Sequence, residues 1–233
     1  MVNDMNKEKG TFSMNVIGAG GIGSWIIHTL VRPARRFAQA NDVNLLLRVY
    51  DSDKVDEANV HHQNFRISDV GKPKVDAVCE ELAEFNQGKL ALEPCEWDVR
   101  SDDDFEKADL TIVAVDSPFA RDLVTKSAKS GKWSICSCAG DSYMFLTEDS
   151  PEHAISLVTN TSLEAASCQL PGAISEGKIE SGNIAVAVMA QTWALRTLRA
   201  MSGDGNAKLP EPRAGSTILG TLGSMSGTGE VAE

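Results

Sequence analysis

Gly18-Ala19-Gly20-Gly21-Ile22-Gly23 decides the reading of this chain, because it separates a short apolar run, Ser13 to Ile17, from a segment with helical spacing. A strand that turns sharply into a helix leaves backbone N–H groups and the positive end of the helix dipole pointing at one spot. Glycine allows both the tight turn and the close approach of an anion. Gly18, Gly20 and Gly23 complete a G-x-G-x-x-G pattern, with Gly21 alongside them. The strand before and the helix after convert a weak motif into an expected phosphate site.

Working outward, the helix is expected to reach about Val31 and to end or restart at Pro33, whose ring does not fit a helix interior. The nearby Arg32, Arg35 and Arg36 then read as a solvated basic turn. Leu45 to Tyr50 is a second strand and Leu90 to Leu92 a third. Leu110 to Val115 is a continuous apolar run suited to a strand covered on both faces. Helices are expected from Pro73 to about Phe85 and from Pro118 to Lys129, and strands over Trp133–Cys138 and Tyr143–Thr147. Strands alternating with helices specify an α/β, Rossmann-like, mostly parallel sheet with flanking helices. A long polar connection to about Gly182 reads as a crossover loop, followed by an apolar helix from Ile184 to Met201. Residues 1–12 read as a flexible lead-in, 13–201 as the folded domain, and 202–233, rich in Gly, Ser and Thr, as a flexible tail.

The composition sets limits. Across 233 residues, 22 basic and 33 acidic side chains give a net charge of −11. That field disfavours nucleic acid and anionic lipid as main partners, so a polyanionic ligand needs a local cluster of donors. No apolar stretch approaches the ~20 residues of a membrane span. No leader-like segment opens the sequence, so a cytoplasmic location is the default expectation. Five cysteines, at 79, 95, 136, 138 and 168, include no C-x-x-C pair, which argues against a disulfide framework or a thiolate zinc site.

The polar residues after the second strand are ordered as a ligand wall would be. Asp51 closes that strand, where a carboxylate accepts from ribose hydroxyls. It lies twenty-eight residues past Gly23, a gap widened by the region around Pro33. Asn59, His62 and Gln63 then offer donors for a triphosphate, and Lys74, near a helix start, offers charge to neutralise it. Asp116 follows the apolar strand at the carboxyl edge of the sheet, where a hard carboxylate suits Mg2+ bridging phosphate oxygens.

These motifs resemble the ThiF/MoeB family, the adenylating half shared with ubiquitin-activating enzymes. The family pattern of G-x-G-G-x-G, D-x-D-x-V, S-N-L-x-R-Q, G-x-P-K and a strand-end Asp with a following Arg is matched in order. Here it stands as Gly18–Gly23, Asp51-Ser52-Asp53-Lys54-Val55, Ala58-Asn59-Val60-His61-His62-Gln63, Gly71-Lys72-Pro73-Lys74 and Asp116 with Arg121, within residues 13–200. The resemblance implies ATP and Mg2+, and adenylation of the C-terminus of a ubiquitin-like or sulfur-carrier protein ending in glycine. It implies Asp51 on the ribose, Asn59 and Lys74 on the phosphates and Asp116 on Mg2+, with a homodimer or a heterodimer with a related subunit.

The chain also departs from the family. The arginine of S-N-L-x-R-Q is His62, a weaker donor whose charge depends on pH near neutrality. A second aspartate three residues past the first is Phe119, and residues 1–12 show no arginine-bearing helix. A non-catalytic scaffold subunit is therefore one alternative, and an NAD(P)-dependent oxidoreductase on the same sheet another. Ser167-Cys168-Gln169 resembles the family's crossover-loop nucleophile, which carries the product as a thioester. The bland reading of Cys168 is a small apolar side chain tucked under the loop. Cys136 and Cys138 read as core or sheet-face residues, Cys79 as helix core. His61 and His62 are adjacent and should diverge, and His28 reads as a packing residue.

Overall fold

The computed structural model describes residues 10–162 and 167–224, with backbone alone over 221–224. Eight strands of the described residues form one sheet: β1 (Thr11–Ile17), β2 (Asn44–Tyr50), β3 (Leu90–Cys95), β4 (Leu110–Val113), β5 (Lys132–Ala139), β6 (Ser142–Thr147), β7 (Arg213–Ser216) and β8 (Gly220–Ser224). Their order is β3-β2-β1-β4-β5-β6-β7-β8. The first five are parallel and β5 to β8 antiparallel. The chain leaves β1 in one direction for β2 and later enters β4 on its other side. That switch opens a crevice beyond the carboxyl ends of the strands, where open α/β sheets bind ligands.

Among the described residues five α-helices cover the sheet: α1 (Gly23–Asn41), α2 (Lys74–Glu81), α3 (Pro118–Lys126), α4 (Glu152–Thr159) and α5 (Gly182–Met201). On one face, Ile26, Ile27, Leu30 and Val31 of α1, Val75 and Val78 of α2, and Val186, Ala190 and Trp193 of α5 pack with Met14, Val16, Leu45, Leu47 and Ile112. On the other, Val124 of α3 and Ala154 and Val158 of α4 join Ile17, Val113, Ile135 and Leu146. All four residues of β4 are buried, as a doubly covered strand requires.

Several elements differ from the sequence reading. Helix α1 runs straight through Pro33 to Asn41. Leu30, Val31, Ala34 and Ala38 continue its buried stripe past the proline, and that burial offsets the ~3 kcal/mol an interior proline costs. Arg32, Arg35 and Arg36 therefore sit on a helix rather than a turn, with the Arg32 guanidinium 4.6 Å from the centre of the Phe85 ring. The polar connection before Gly182 contains α4, whose short apolar side seals the second core. Helix α5 buries one face, while Val188 on the other is exposed. Strand β1 starts at Thr11, inside the expected lead-in, of which residues 1–9 lie outside the described part.

The tail expected from residue 202 is corrected over 213–224, which form the β7–β8 hairpin on β6. Its small residues are the reason: any side chain at Gly215 would overlap the Tyr143 ring, and the Ser216 hydroxyl donates to Asp141. Composition that reads as loose is here composition that lets a backbone lie flat on an aromatic face. Residues 225–233 lie outside the described part. Among the described residues no helix is long and apolar enough to cross a membrane.

Trp193, 1% exposed at the centre of α5, anchors the first core. Trp193→Ala is expected to lower unfolding free energy by about 3–5 kcal/mol, read from the shift of a urea transition.

Candidate functional site

The crevice at the switch point is a cavity of about 910 Å3 lined by residues from the β1–α1 loop, the end of β2, the segment 53–74, the turns after β3 and β4, and the crossover segment. That volume suits a nucleotide-sized ligand.

The glycine loop is built by backbone contact. Gly18 has a φ of +97°, and a side chain there would overlap the Ala114 backbone at the end of β4. Its N–H donates to the Tyr50 carbonyl at 2.7 Å. Gly20 faces open space in the cavity, whereas any side chain at Gly21 would overlap the Cys168 sulfur. Gly23 differs from the expectation: it does not line the cavity, and it is glycine because the Gly18 carbonyl lies where its Cβ would be. Its part is close helix–loop packing rather than ligand contact.

Asp51 faces the loop. Its Oδ2 accepts from the Ala19 N–H at 2.7 Å and its Oδ1 from the Asp53 N–H at 2.9 Å. Burial pushes its carboxyl above the usual range, opposed by the Lys74 charge and these two N–H groups. Each oxygen keeps a further lone pair, so the expected ribose contacts remain open to it. Lys74, 7% exposed in its side chain, donates to Asp53 Oδ2 at 2.7 Å, with the aspartate largely in solvent. A buried ammonium paired to an exposed carboxylate at the cavity wall can exchange that partner for another anion.

Asn59, His62 and Gln63 reach the same cavity. A 3₁₀ turn over Asn59–His61 carries them, its entry fixed by the Asp56 N–H donating to Asn59 Oδ1 at 3.0 Å. The His62 Nδ1 and Gln63 Oε1 atoms are buried with no protein partner. Buried polar atoms are rarely left so unless a ligand or water completes them. The two adjacent histidines diverge as expected: His61 lines a separate cavity with Leu170 and Ile174.

Across the cavity, Asp116 is exposed just after β4 and before α3, whose first turn is capped by the Ser117 hydroxyl accepting from the Ala120 N–H at 3.3 Å. Arg121 lies behind it, donating to the Val115 carbonyl at 3.0 Å. Burial pulls the Arg121 guanidinium below its ordinary range and the Asp116 charge opposes this. Phe119, at the position of the absent second aspartate, also lines this wall.

Sequence reasoning missed two groups. Trp97, Asp98, Val99 and Arg100, after β3, close the far end of the cavity, with Trp97 edge-on to Tyr50 at 5.9 Å between ring centres. Nothing in their spacing announces this, because the sheet order alone brings them beside Asp51. Asn183, at the start of α5 and 2% exposed, donates to both the Gly21 and His62 carbonyls at 2.9 Å. A lone amide opening an otherwise apolar helix was the available signal.

Cys168 sits in the cavity rather than under the loop. Its sulfur lies against Gly21, and hydrogen bonds from the Cys138 thiol and from His62 hold its pKa down to about 5 against the opposing effect of burial. Cys138 lies on β5 and packs against the first core, as expected, and it also lines this cavity. Cys136 and Cys79 are buried as expected.

A doubly wound sheet with a glycine-loop anion cradle, a ribose-type acid and a ring of polar donors at its switch point defines a nucleotide-site α/β protein. The model of the ThiF family matches residues 4–220, and the chain belongs to that family. Among curated proteins it is 36% identical over 70 residues to tRNA threonylcarbamoyladenosine dehydratase 2 of Saccharomyces cerevisiae, a match spanning 30% of this chain and 14% of the relative. Among solved structures, Escherichia coli MccB with ATP superposes with a TM-score of 0.62 at 16% identity, covering 92% of this chain and 64% of MccB. The microcin C7 biosynthetic enzyme MccB in complex with N-formylated MccA gives 0.62 at 16% identity, with coverage of 92% and 65%. PaaA gives 0.61 at 14% identity, with coverage of 92% and 64%. The chain thus spans less than two thirds of these proteins, and the likeness to the solved structures is one of fold.

Iodoacetamide is expected to modify Cys168 first in the native protein. Its rate should level off above about pH 6, because the thiolate is already formed, instead of climbing through the ~8.5 of an ordinary thiol. Peptide mass mapping across pH 4–9 checks this.

Proposed function

We propose that this chain adenylates the C-terminal carboxylate of a small ubiquitin-like or sulfur-carrier protein with ATP. The observation that carries the reading is that Asn59, His62, Gln63 and Lys74 share one cavity with the glycine loop and Asp51, with Asp116 opposite. A nicotinamide dinucleotide needs only the loop and the ribose acid. A triphosphate needs cations and donors along the wall as well, and Asn59, Lys74 and the unpartnered His62 Nδ1 can supply them.

In this reading Asp51 accepts from the ribose and Trp97 and Tyr50 flank the base. The N–H groups around Gly20 and Gly21 and the Asn59 and Lys74 side chains take the phosphates. The carrier's carboxylate attacks the α-phosphorus, the bond to the bridging oxygen breaks, and pyrophosphate leaves with the electron pair. Two anions approach each other in that step, so Lys74 acts by offsetting charge that grows on the leaving pyrophosphate. The residues fit a divalent ion: Asp116 is an exposed hard carboxylate at the cavity wall, and Mg2+ held there would neutralise phosphate oxygens. The Cys168 thiolate then displaces AMP from the adenylate and keeps the acyl group as a thioester.

Pairing as a homodimer, or with a related subunit, belongs to the same reading, as does a cytoplasmic setting. A protein carrier is favoured over a tRNA substrate because a net charge of −11 repels a polyphosphate backbone. The loss of the family arginine at His62 favours a second reading, a scaffold subunit that binds carrier without turnover.

Carrier-dependent exchange of labelled pyrophosphate into ATP tests the first step. Asp116→Ala and Lys74→Ala are each expected to reduce exchange ~10²-fold or more. Cys168→Ala is expected to keep exchange and to lose a thiol-sensitive adduct with the carrier. No exchange at any Mg2+ concentration, with carrier still bound, would give the scaffold reading its support and end this one.

A further inference from the structure

The five cysteines fall into two groups. Cys79, Cys95 and Cys136 are buried in the cores, and burial pushes their thiols up to about 12, 11 and 12, out of reach of ordinary thiol chemistry. Cys138 and Cys168 both line the nucleotide cavity and are both partly exposed.

The two lie side by side at that wall. Cys138, the next-to-last residue of β5, directs its Sγ to the Cys168 carbonyl at 3.6 Å. The Gly140 N–H donates to the same carbonyl at 3.0 Å, which pins the Cys168 backbone beside the strand end. His62 lines the same cavity, and Gly21 leaves room for the Cys168 sulfur. The proposed thioester step uses Cys168 alone and gives Cys138 no task.

We propose that Cys138 and Cys168 form a redox-active dithiol at the cavity wall, in which a hydroperoxide oxidises Cys168 and Cys138 resolves it as a disulfide. The Cys168 thiolate attacks one peroxide oxygen, the O–O bond breaks, and hydroxide leaves and takes up a proton to become water. The sulfur is then a sulfenic acid. Cys138 gives up its proton and attacks that sulfur, the S–O bond breaks, and the departing hydroxide takes the proton as a second water. In sum, two thiols and one peroxide give one disulfide and two waters.

The geometry favours closure over further oxidation. With the Cys138 sulfur 3.6 Å from the Cys168 carbonyl, reaching the ~2.05 Å of a disulfide needs only a local adjustment at the strand end. The depressed pKa of Cys168 makes it the attacking sulfur, and the raised pKa of Cys138 keeps that thiol a donor until the sulfenic acid forms. The disulfide would withdraw the nucleophile reversibly, where sulfinic acid would destroy it.

The test treats the full-length chain with equimolar hydrogen peroxide, then blocks remaining thiols with N-ethylmaleimide under denaturing conditions. The expected result is a loss of ~2 Da before blocking, a Cys138–Cys168 peptide pair in a non-reducing digest, and recovery on reduction. In Cys138→Ser the sulfenic acid at Cys168 should persist, be trapped by dimedone, and proceed to a sulfinic acid at ~32 Da of added mass. Sulfinic acid at Cys168 in the unsubstituted chain with no Cys138 link would overturn the proposal, as would a link to any other cysteine. These readouts need neither ATP nor carrier. Failure of pyrophosphate exchange with the disulfide formed would strike the adenylation reading alone.

Discussion

One oxygen of the Asp51 carboxylate accepts the Ala19 N–H and the other the Asp53 N–H, so a single side chain at the end of β2 ties the glycine loop to the segment that carries Lys74. Gly18 makes this possible, since only a residue without a Cβ brings the loop down onto the Ala114 backbone at the end of β4. Three strand ends, β1, β2 and β4, are thereby held within reach of one ligand. Burial raises the pKa of Asp51, and the nearby Lys74 charge and the two N–H groups oppose that rise.

Around that knot the cavity has distinct ends. Tyr50, Trp97 and Val99 give one end aromatic and apolar walls. His62, Gln63, Lys74 and Asp116 give the middle its charge and its unmet hydrogen bonds. Cys138 and Cys168 form the other wall, joined to the glycine loop through Gly21, while Asn183 fastens that loop and the His62 backbone to α5. The helix that seals the first core therefore also sets where the thiol end sits relative to the glycine loop.

Much of this was legible in the residue order. The glycine turn, Asp51, the block from Asn59 to Lys74 and Asp116 all sit next to strand or helix signals, and local chain geometry carries them to the carboxyl edge of the sheet. What was not legible came from packing at a distance. Pro33 stays in α1 because the apolar stripe beyond it is buried, and residues 213–224 form strands because Tyr143 offers a flat face to Gly215. Gly23 matches the phosphate motif and yet serves the loop beneath it.

The sequence by itself determined the sheet class, the glycine-loop end of the cavity and the family, because those depend on patterns of ten or twenty residues and on what glycine and carboxylate groups do at strand ends. Only the tertiary structure decided the aromatic wall at Trp97 and the placing of Cys138 beside Cys168. Those contacts join residues thirty or more apart, and they exist because sheet order and the return of the crossover segment fold them onto one surface.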